Sequence, residues 1–398
     1  MLLIKQFNAL STFSVNIFLD LHAMTYLGAL LSFLVAFQLF FVALYLFTHK
    51  KGNKRNNRLL ALIFLMFAIN LMDFTARLSG IIFPIPLLHL LDDCFFFLYG
   101  PVFYFYTQGV VYHDFAFKKS DAWNLAPYIS VTSYLIFNIL FIDQETQSEV
   151  AKNIISADFP AWVFAASLVI YLHLLCYLWF SWRTIKTYKT VIKDKFSSID
   201  DINLDWLSFM IRTFSGITIV SMINNIIPVF GSIFFLYFSA AILLIFSFYF
   251  INHVLVKALN QPAIFSGIAK EETEKYAMSN LGSEEIEQYK NQLTNLMQAN
   301  LPYLNADLKS KDLAEKLGIS PKVLSQVINQ RFNQNFFDFV NTYRCEEVKR
   351  VLQGPDKKIT IIEAMYQSGF NSKSSFNKEF KKLTGQTPSE FKKSLSQT

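Results

Sequence analysis

Along the first two thirds of the chain apolar residues run together, and along the last third they recur every three or four positions. The two patterns belong to different solvents. Crossing a hydrocarbon core of about 30 Å as a helix takes about 20 consecutive, mostly apolar residues, whereas a helix half-buried in a water-soluble domain needs them only along one stripe. Long runs occupy residues 25–47, 59–79, 90–111, 124–141, 161–182, 207–229 and 233–255, which predicts seven transmembrane helices. The fourth is short and is interrupted by Pro127, Ser130, Thr132 and Ser133. Proline is tolerated in lipid-buried helices, and without this span everything downstream would change sides.

Composition fits that reading. Hydrophobic residues make up 53% and charged residues 17% of the 398, more apolar than an ordinary soluble multidomain protein. Basic residues of short loops stay on the cytoplasmic side. Loops assigned inside carry Lys50, Lys51, Lys54, Arg55, Arg58, Lys118, Lys119, Arg183, Lys186, Lys189, Lys193 and Lys195, and those assigned outside carry only Lys5 and Lys152. Twelve against two puts the N-terminus outside and the C-terminal region in the cytoplasm of a multi-pass inner-membrane protein, which requires an odd number of spans. Residues 1–24 read as an extracellular segment, since Ser11, Thr12, Ser14 and Asn16 break the run from Ala9 to Leu19; Met24 is an alternative start. Cys94, Cys176 and Cys345 fall on two spans and one cytoplasmic helix, so no disulfide framework follows.

After Leu255 the chain turns polar. Residues 257–302 read as a linker and one helix from about Ser283, with that serine as cap and Glu284 and Glu285 in the first turn. Ile286, Tyr289, Leu293, Leu296 and Met297 stripe it. The stripe suits a coupling helix or the seam of a homodimer, and equally a spacer packed on the next domain.

Residues 303–398 carry two copies of one layout. In the first, a short helix with Leu313, Ala314 and Leu317 ends at Gly318, Ser320 caps a second helix, and Pro321 takes its first position, where a missing N–H costs nothing. Val323, Leu324, Val327 and Ile328 form its inner face, leaving Lys322, Ser325, Gln326 and Asn329 outside. In the second, Thr360 caps a helix to Ser368, Gly369 turns the chain, Phe370 plugs the corner, and Asn371 or Ser372 caps a helix whose core face is Phe376, Phe380 and Leu383. Lys373, Ser374, Ser375, Asn377 and Lys378 lie outside, with Lys381 and Lys382 beyond. Helix, glycine turn, helix is the helix-turn-helix layout. Apolar residues at Phe336, Val340, Tyr343, Val348, Val351 and Leu352 mark one connecting helix, about 25 Å long at about 1.5 Å per residue. It can hold the outer helices roughly one DNA turn apart. Residues 303–398 hold 16 Lys and Arg against 10 Asp and Glu, a charge of +6 that suits phosphate attraction without proving it.

This region resembles the DNA-binding domain of the AraC/XylS family of bacterial transcription regulators over about the last hundred residues. The resemblance rests on Asp312-Leu313-Ala314 with Gly318 and Ser320, on residues 336–344, and on Ser368-Gly369-Phe370-Asn371-Ser372 followed by Phe376, Phe380-Lys381-Lys382, Gly385, Thr387-Pro388-Ser389 and Phe391. Asn335 stands where many members carry glycine, and asparagine is the next best residue at a left-handed turn. The resemblance implies reading helices at 320–330 and 372–382, so that Lys322, Ser325, Gln326 and Asn329, then Lys373, Ser374, Asn377 and Lys378, would face double-stranded DNA. Glutamine and asparagine suit adenine edges, and lysine suits guanine or phosphate. The fold class expected is all-α: a seven-helix transmembrane bundle (residues 25–256), then a cytoplasmic AraC-type domain of two helix-turn-helix units joined by a connecting helix.

Polar residues inside spans are expensive and mark functional candidates. Asn70, Asp73, Arg77, Asp92, Asp93, Asn224 and Asn225 all collect toward the outer ends of their spans. They suggest a pocket for an extracellular or membrane ligand or partner; the alternative is an Asp73–Arg77 pair at i, i+4 with interhelical hydrogen bonds. A signal there would shift helix packing and pass through the linker to the DNA module, or release the module by proteolysis.

Other classes find little support. All six histidines precede the cytoplasmic region, which therefore has neither a phospho-accepting histidine nor a Cys/His metal set. His89 and His173 suit packing or interfacial positions better than metal ligation. No phosphate-binding or dinucleotide glycine pattern occurs, so neither an enzyme nor a cofactor is expected. A transporter with a DNA-binding tail is the remaining rival, though the spans show no inverted repeat.

Overall fold

A computed structural model describes residues 2–49, 52–79, 91–143, 161–226, 282–355 and 358–395, with isolated residues between 145 and 149 and between 242 and 256. Beyond helices and turns, Phe196 forms an isolated antiparallel bridge with Lys309. Two compact units emerge: Met1–Ile185 with Asp205–Gly267, and Lys186–Leu204 with Ile268–Thr398.

The first unit contains α1 (Leu2–Thr48), α2 (Lys54–Leu78), α3 (Phe96–Val111), α4 (Ala126–Phe141), α5 (Ala161–Lys195) as far as residue 185, and α6 (Asp205–Ile226). Five described segments are long and apolar enough to cross a membrane: Thr25–Thr48, Lys54–Leu78, Asp93–Val111, Ala165–Lys195 and Asp205–Ile223. These are the first, second, third, fifth and sixth of the expected runs. The fourth run forms α4, whose 16 residues rise about 24 Å, short of a core of about 30 Å. The seventh run, 233–255, lies largely outside the described residues. Residues 2–24, expected as a separate extracellular segment, continue as helix into the first span.

α1 shows why this unit holds together without a polar surface. Its inner face carries Ala29, Ser32, Val35, Ala36, Leu39 and Ala43, all buried, while Leu30, Leu34, Phe37, Phe41 and Leu44 on the other side stay about half exposed. Small residues let helix backbones approach, and the Ser32 hydroxyl hydrogen-bonds that of Thr75 on α2 at 2.7 Å. On α3, a Cβ at Gly100 would lie 2.9 Å from Cδ2 of Tyr177, so only glycine admits that ring. Phe67, Tyr99, Phe103 and Phe214 fill the centre, with ring centroids 4.5 Å apart for Phe67–Tyr99 and 5.6 Å for Phe103–Phe214, close enough for favourable aromatic packing.

The second unit contains α7 (Ser283–Asn300), α8 (Ser310–Lys316), α9 (Pro321–Phe332), α10 (Phe336–Gln353), α11 (Ile361–Gln367), α12 (Lys373–Thr384) and α13 (Pro388–Leu395). α10 feeds two cores. Its first half gives Phe336, Phe339 and Val340 to a cluster with Leu313, Leu324, Val327 and Ile328; its second half gives Cys345, Val348 and Leu352 to one with Met365, Phe370, Phe376 and Phe380. Ile286, Leu293 and Met297 of α7 belong to the first core, with Tyr289 and Leu296 packed against it. Burial pushes the Cys345 thiol up to about 12, so it serves as a packing residue. Ser283 is not the cap of α7: Gly282 is, and its N–H donates to the Glu285 carboxylate at 3.0 Å.

Candidate nucleic-acid interface and cavity

Each helix-turn-helix corner is set by a glycine and a hydroxyl cap. Gly318 (φ +67) and Gly369 (φ +85) lie in the left-handed region that side chains disfavour. After them, the Ser320 hydroxyl accepts the Val323 N–H at 3.3 Å, and the Ser372 hydroxyl accepts that of Ser375 at 3.3 Å. Of the two candidate caps for α12, the structure therefore selects Ser372. Thr360 and Glu363 close a reciprocal capping box on α11, at 3.1 Å and 2.7 Å. Gly369 also lies against the backbone just ahead of α8: a Cβ there would lie 2.3 Å from the Tyr303 carbonyl oxygen.

The structure leaves Lys322 and Asn329 exposed on α9 with Gln326 half-buried, and exposes Lys373, Ser374, Asn377 and Lys378 on α12. Ser325 differs. It is 6% exposed, because the buried arc of α9 is turned toward it from the side of Val323, in a core that α7 shares. Arg331 shows the same contact from the rim, bonding the Ser283 carbonyl at 3.0 Å and the Glu287 carboxylate at 3.3 Å. Leu383, expected in the core of α12, is 42% exposed; Phe391 of α13 packs on Phe380 instead. The left-handed residue before α10 is Asn333 (φ 53), whereas Asn335 is extended and caps α10 by accepting the Asp338 N–H at 2.8 Å. Lys382 is not free for DNA: its ammonium pairs with Asp338 at 2.8 Å and Glu379 at 3.5 Å, tying α12 to α10.

One residue that periodicity could not single out organises the module. Arg344 is 1% exposed. Its Nε donates to the Tyr303 carbonyl at 2.8 Å, and its Nη atoms donate to the carbonyls of Asn305 at 2.8 Å and Ser197 at 2.9 Å and to the Ser197 hydroxyl at 3.0 Å. Burial pushes its pKa down to about 10, which still leaves it charged at neutral pH. The Ser197 hydroxyl in turn donates to the Leu308 carbonyl at 2.7 Å, and Ser198 bonds Asn371 at 2.8 Å, next to the cap of α12. The segment between α5 and α6 is thus part of the helix-turn-helix module's fold.

In the first unit, Asp73, Arg77, Asp92 and Asp93 come together as expected of a cluster. Arg77 contacts Asp73 directly and lies 3.8 Å from Asp92 and 3.7 Å from Asp93. Asn70 joins them, donating to the Asp92 carboxylate at 2.7 Å and accepting from the Tyr99 hydroxyl. The side chains of Asn224 and Asn225 lie outside the described residues. The i, i+4 pair forms, and Asn70, Arg77, Asp92 and Asp93 line a cavity of about 420 Å³. His173 packs edge-on to Phe97 and Tyr177, and no metal-binding cluster occurs among the described residues.

Residues 313–394 match the family described as a helix-turn-helix domain. An uncharacterized HTH-type transcriptional regulator of Staphylococcus aureus strain COL is 36% identical over 90 residues, which are 23% of this chain and 12% of that protein. A counterpart in Staphylococcus aureus strain N315 shows the same identity and coverage. The Msm operon regulatory protein of Streptococcus mutans serotype c is 28% identical over 90 residues, 23% of this chain and 32% of that protein. The match spans about one eighth of the Staphylococcus aureus relatives' length. No solved structure matches. The C-terminal region is therefore a helix-turn-helix domain similar to those of bacterial transcription regulators.

Proposed function

We propose that the chain is a membrane-bound AraC-type transcription regulator: α9 and α12 read double-stranded DNA, under control of a signal received by the apolar N-terminal unit. The observation that carries the reading is the pair of capped corners joined by α10, each presenting a polar outer face, Lys322, Gln326 and Asn329 on one and Lys373, Asn377 and Lys378 on the other. Lysines supply phosphate attraction, and amides can discriminate base edges.

Two features support a bilayer around the first unit. Ile129, Tyr134, Phe137, Leu140 and Phe141 of α4 are 54% to 72% exposed, a face that lipid solvates and water does not. Trp123 and Trp182 follow the basic pairs Lys118–Lys119 and precede Arg183, as interfacial tryptophans do at a cytoplasmic boundary. On this reading the module lies in the cytoplasm, α4 crosses a locally thinned bilayer, and two segments couple the module to the sensor: residues 257–302 and the loop carrying Ser197.

Selection of random duplexes by the full chain in lipid nanodiscs tests the reading. It should enrich two short sequence blocks whose centres lie about one helical turn, about 10 base pairs, apart. Retention of duplexes without any consensus would overturn it.

A further inference from the structure

The cavity of the first unit has one charged end and an otherwise mostly apolar lining, with the hydroxyls of Thr218 and Ser221 among it. Phe64, Phe67, Phe74, Phe96, Phe103 and Phe214 form much of its wall. Its volume of about 420 Å³ falls in the range of about 300–1,000 Å³ usual for small-molecule sites. At the charged end a single guanidinium, Arg77, serves three carboxylates, Asp73, Asp92 and Asp93. Among the described lining residues no other Lys, Arg or His is present, and the described charges at this end, one guanidinium against three carboxylates, sum to two formal negative charges.

Asp92 is the informative member. The residue is 7% exposed and lines the cavity. Its Oδ2 accepts from Asn70, but Oδ1 is buried with no hydrogen-bond donor, Arg77 standing 3.8 Å away. A buried carboxylate oxygen without a donor is costly and rare. We propose that this cavity is a binding site for an organic monocation, a protonated amine bearing an aromatic or alkyl body. The ammonium would donate to Asp92 Oδ1 and offset the excess negative charge, and the phenylalanine and Tyr99 faces around it would add cation–π attraction. The apolar body would occupy the remainder of the cavity, where burial of hydrocarbon is favourable. An anionic ligand would meet net repulsion, and a neutral one would leave the charge imbalance in place. The proposal names the signal class for the sensor reading above and rests on that reading for its effect on DNA.

The test uses the full chain in nanodiscs and two probe sets of matched skeleton: phenethylamine, 2-phenylethanol and phenylacetate, then 4-phenylbutylamine with its alcohol and carboxylate. Binding is measured by equilibrium dialysis against empty nanodiscs, which removes partitioning into lipid. The amines should bind at least tenfold tighter than their alcohols and carboxylates, and Asp92→Asn should reduce that preference about tenfold. If neither amine binds, or if carboxylates bind as well as amines, the assignment is overturned without reference to any variant. Retention of the full preference in a folded Asp92→Asn protein overturns it too. DNA occupancy in the same nanodiscs separates the two proposals. Amine binding that leaves DNA occupancy unchanged upholds the site and refutes the sensor role. A DNA response to another stimulus, with no amine binding, does the reverse.

Discussion

The buried guanidinium of Arg344 donates to both the carbonyl and the hydroxyl of Ser197, 147 residues earlier in the chain, at 2.9 Å and 3.0 Å. It does so from α10, the helix whose two halves feed the two cores of the module. Its hydrogen bonds go to carbonyls of residues 303, 305 and 197. A charge buried this way is stabilised only while every acceptor stays in place.

Replacing Arg344 should therefore unsettle the module more than any surface change. Arg344→Ala strands several buried carbonyls, with an expected loss of about 3 kcal/mol or more, and Arg344→Lys cannot reproduce the planar fork. Ser197→Ala should cost about 1–2 kcal/mol. Amide hydrogen exchange of residues 303–353 in the full chain reads both effects. Unchanged protection in Ser197→Ala would show that the α5–α6 segment contributes nothing to the module.

On the reading faces, Gln326→Ala should lose about 1–3 kcal/mol of binding to a selected site and relax its preferred base. Lys322→Ala and Lys378→Ala should instead weaken binding to all duplexes and lower the salt dependence by about one ion each. Ser325→Ala should leave affinity alone, because that side chain is 6% exposed. Titration of DNA at two salt concentrations distinguishes the three behaviours.

Among the turn glycines, position 369 should be the least replaceable. Gly369 combines φ +85 with a Cβ position 2.3 Å from the Tyr303 carbonyl oxygen and 2.9 Å from Leu304. Gly318 has φ +67 with open space around it. Gly318→Ala should cost about 1–2 kcal/mol through backbone strain alone, and Gly369→Ala clearly more, since backbone must also move. Equal losses in denaturation would contradict the close approach seen at Gly369.

Acid should loosen α11. The Thr360 N–H, donating to Glu363 at 2.7 Å, together with the Thr360 hydroxyl, holds that carboxyl below the usual range. A depressed carboxyl adds stability above its unfolded value of about 4.3, and that stability fades as pH falls through the lower folded value. Protection factors of residues 361–367, which remove the intrinsic slowing of amide exchange by acid, should fall between about pH 5 and 3, and Glu363→Gln, which keeps an acceptor without a charge, should flatten the response.

Much of the module could be read from the sequence because its signals are local. Gly318 followed by Ser320 and Pro321, and Thr360 with Glu363, specify caps within four residues of each other. Ser325 and Leu383 are placed by packing that a local period does not reveal: the buried arc of α9 includes Ser325 rather than Val323, and Phe391 of α13 packs on Phe380, while the left-handed conformation falls at Asn333 and leaves Asn335 as a cap. The Arg344–Ser197 contact joins segments too far apart for any pattern to connect. In the first unit the charged cluster was visible, since ionisable groups stand out in apolar runs. The aromatic cavity beside it was not, because a phenylalanine lining a cavity has the same sequence pattern as one packed in a core or facing lipid.

Genome-wide mapping of DNA cross-linked to the full-length chain in growing cells tests the central claim most directly. The account predicts a small set of sites sharing a two-block sequence, recovered with the membrane fraction and lost in a Gln326→Ala, Lys378→Ala double variant of normal abundance. Enrichment no different from that of the double variant would contradict it.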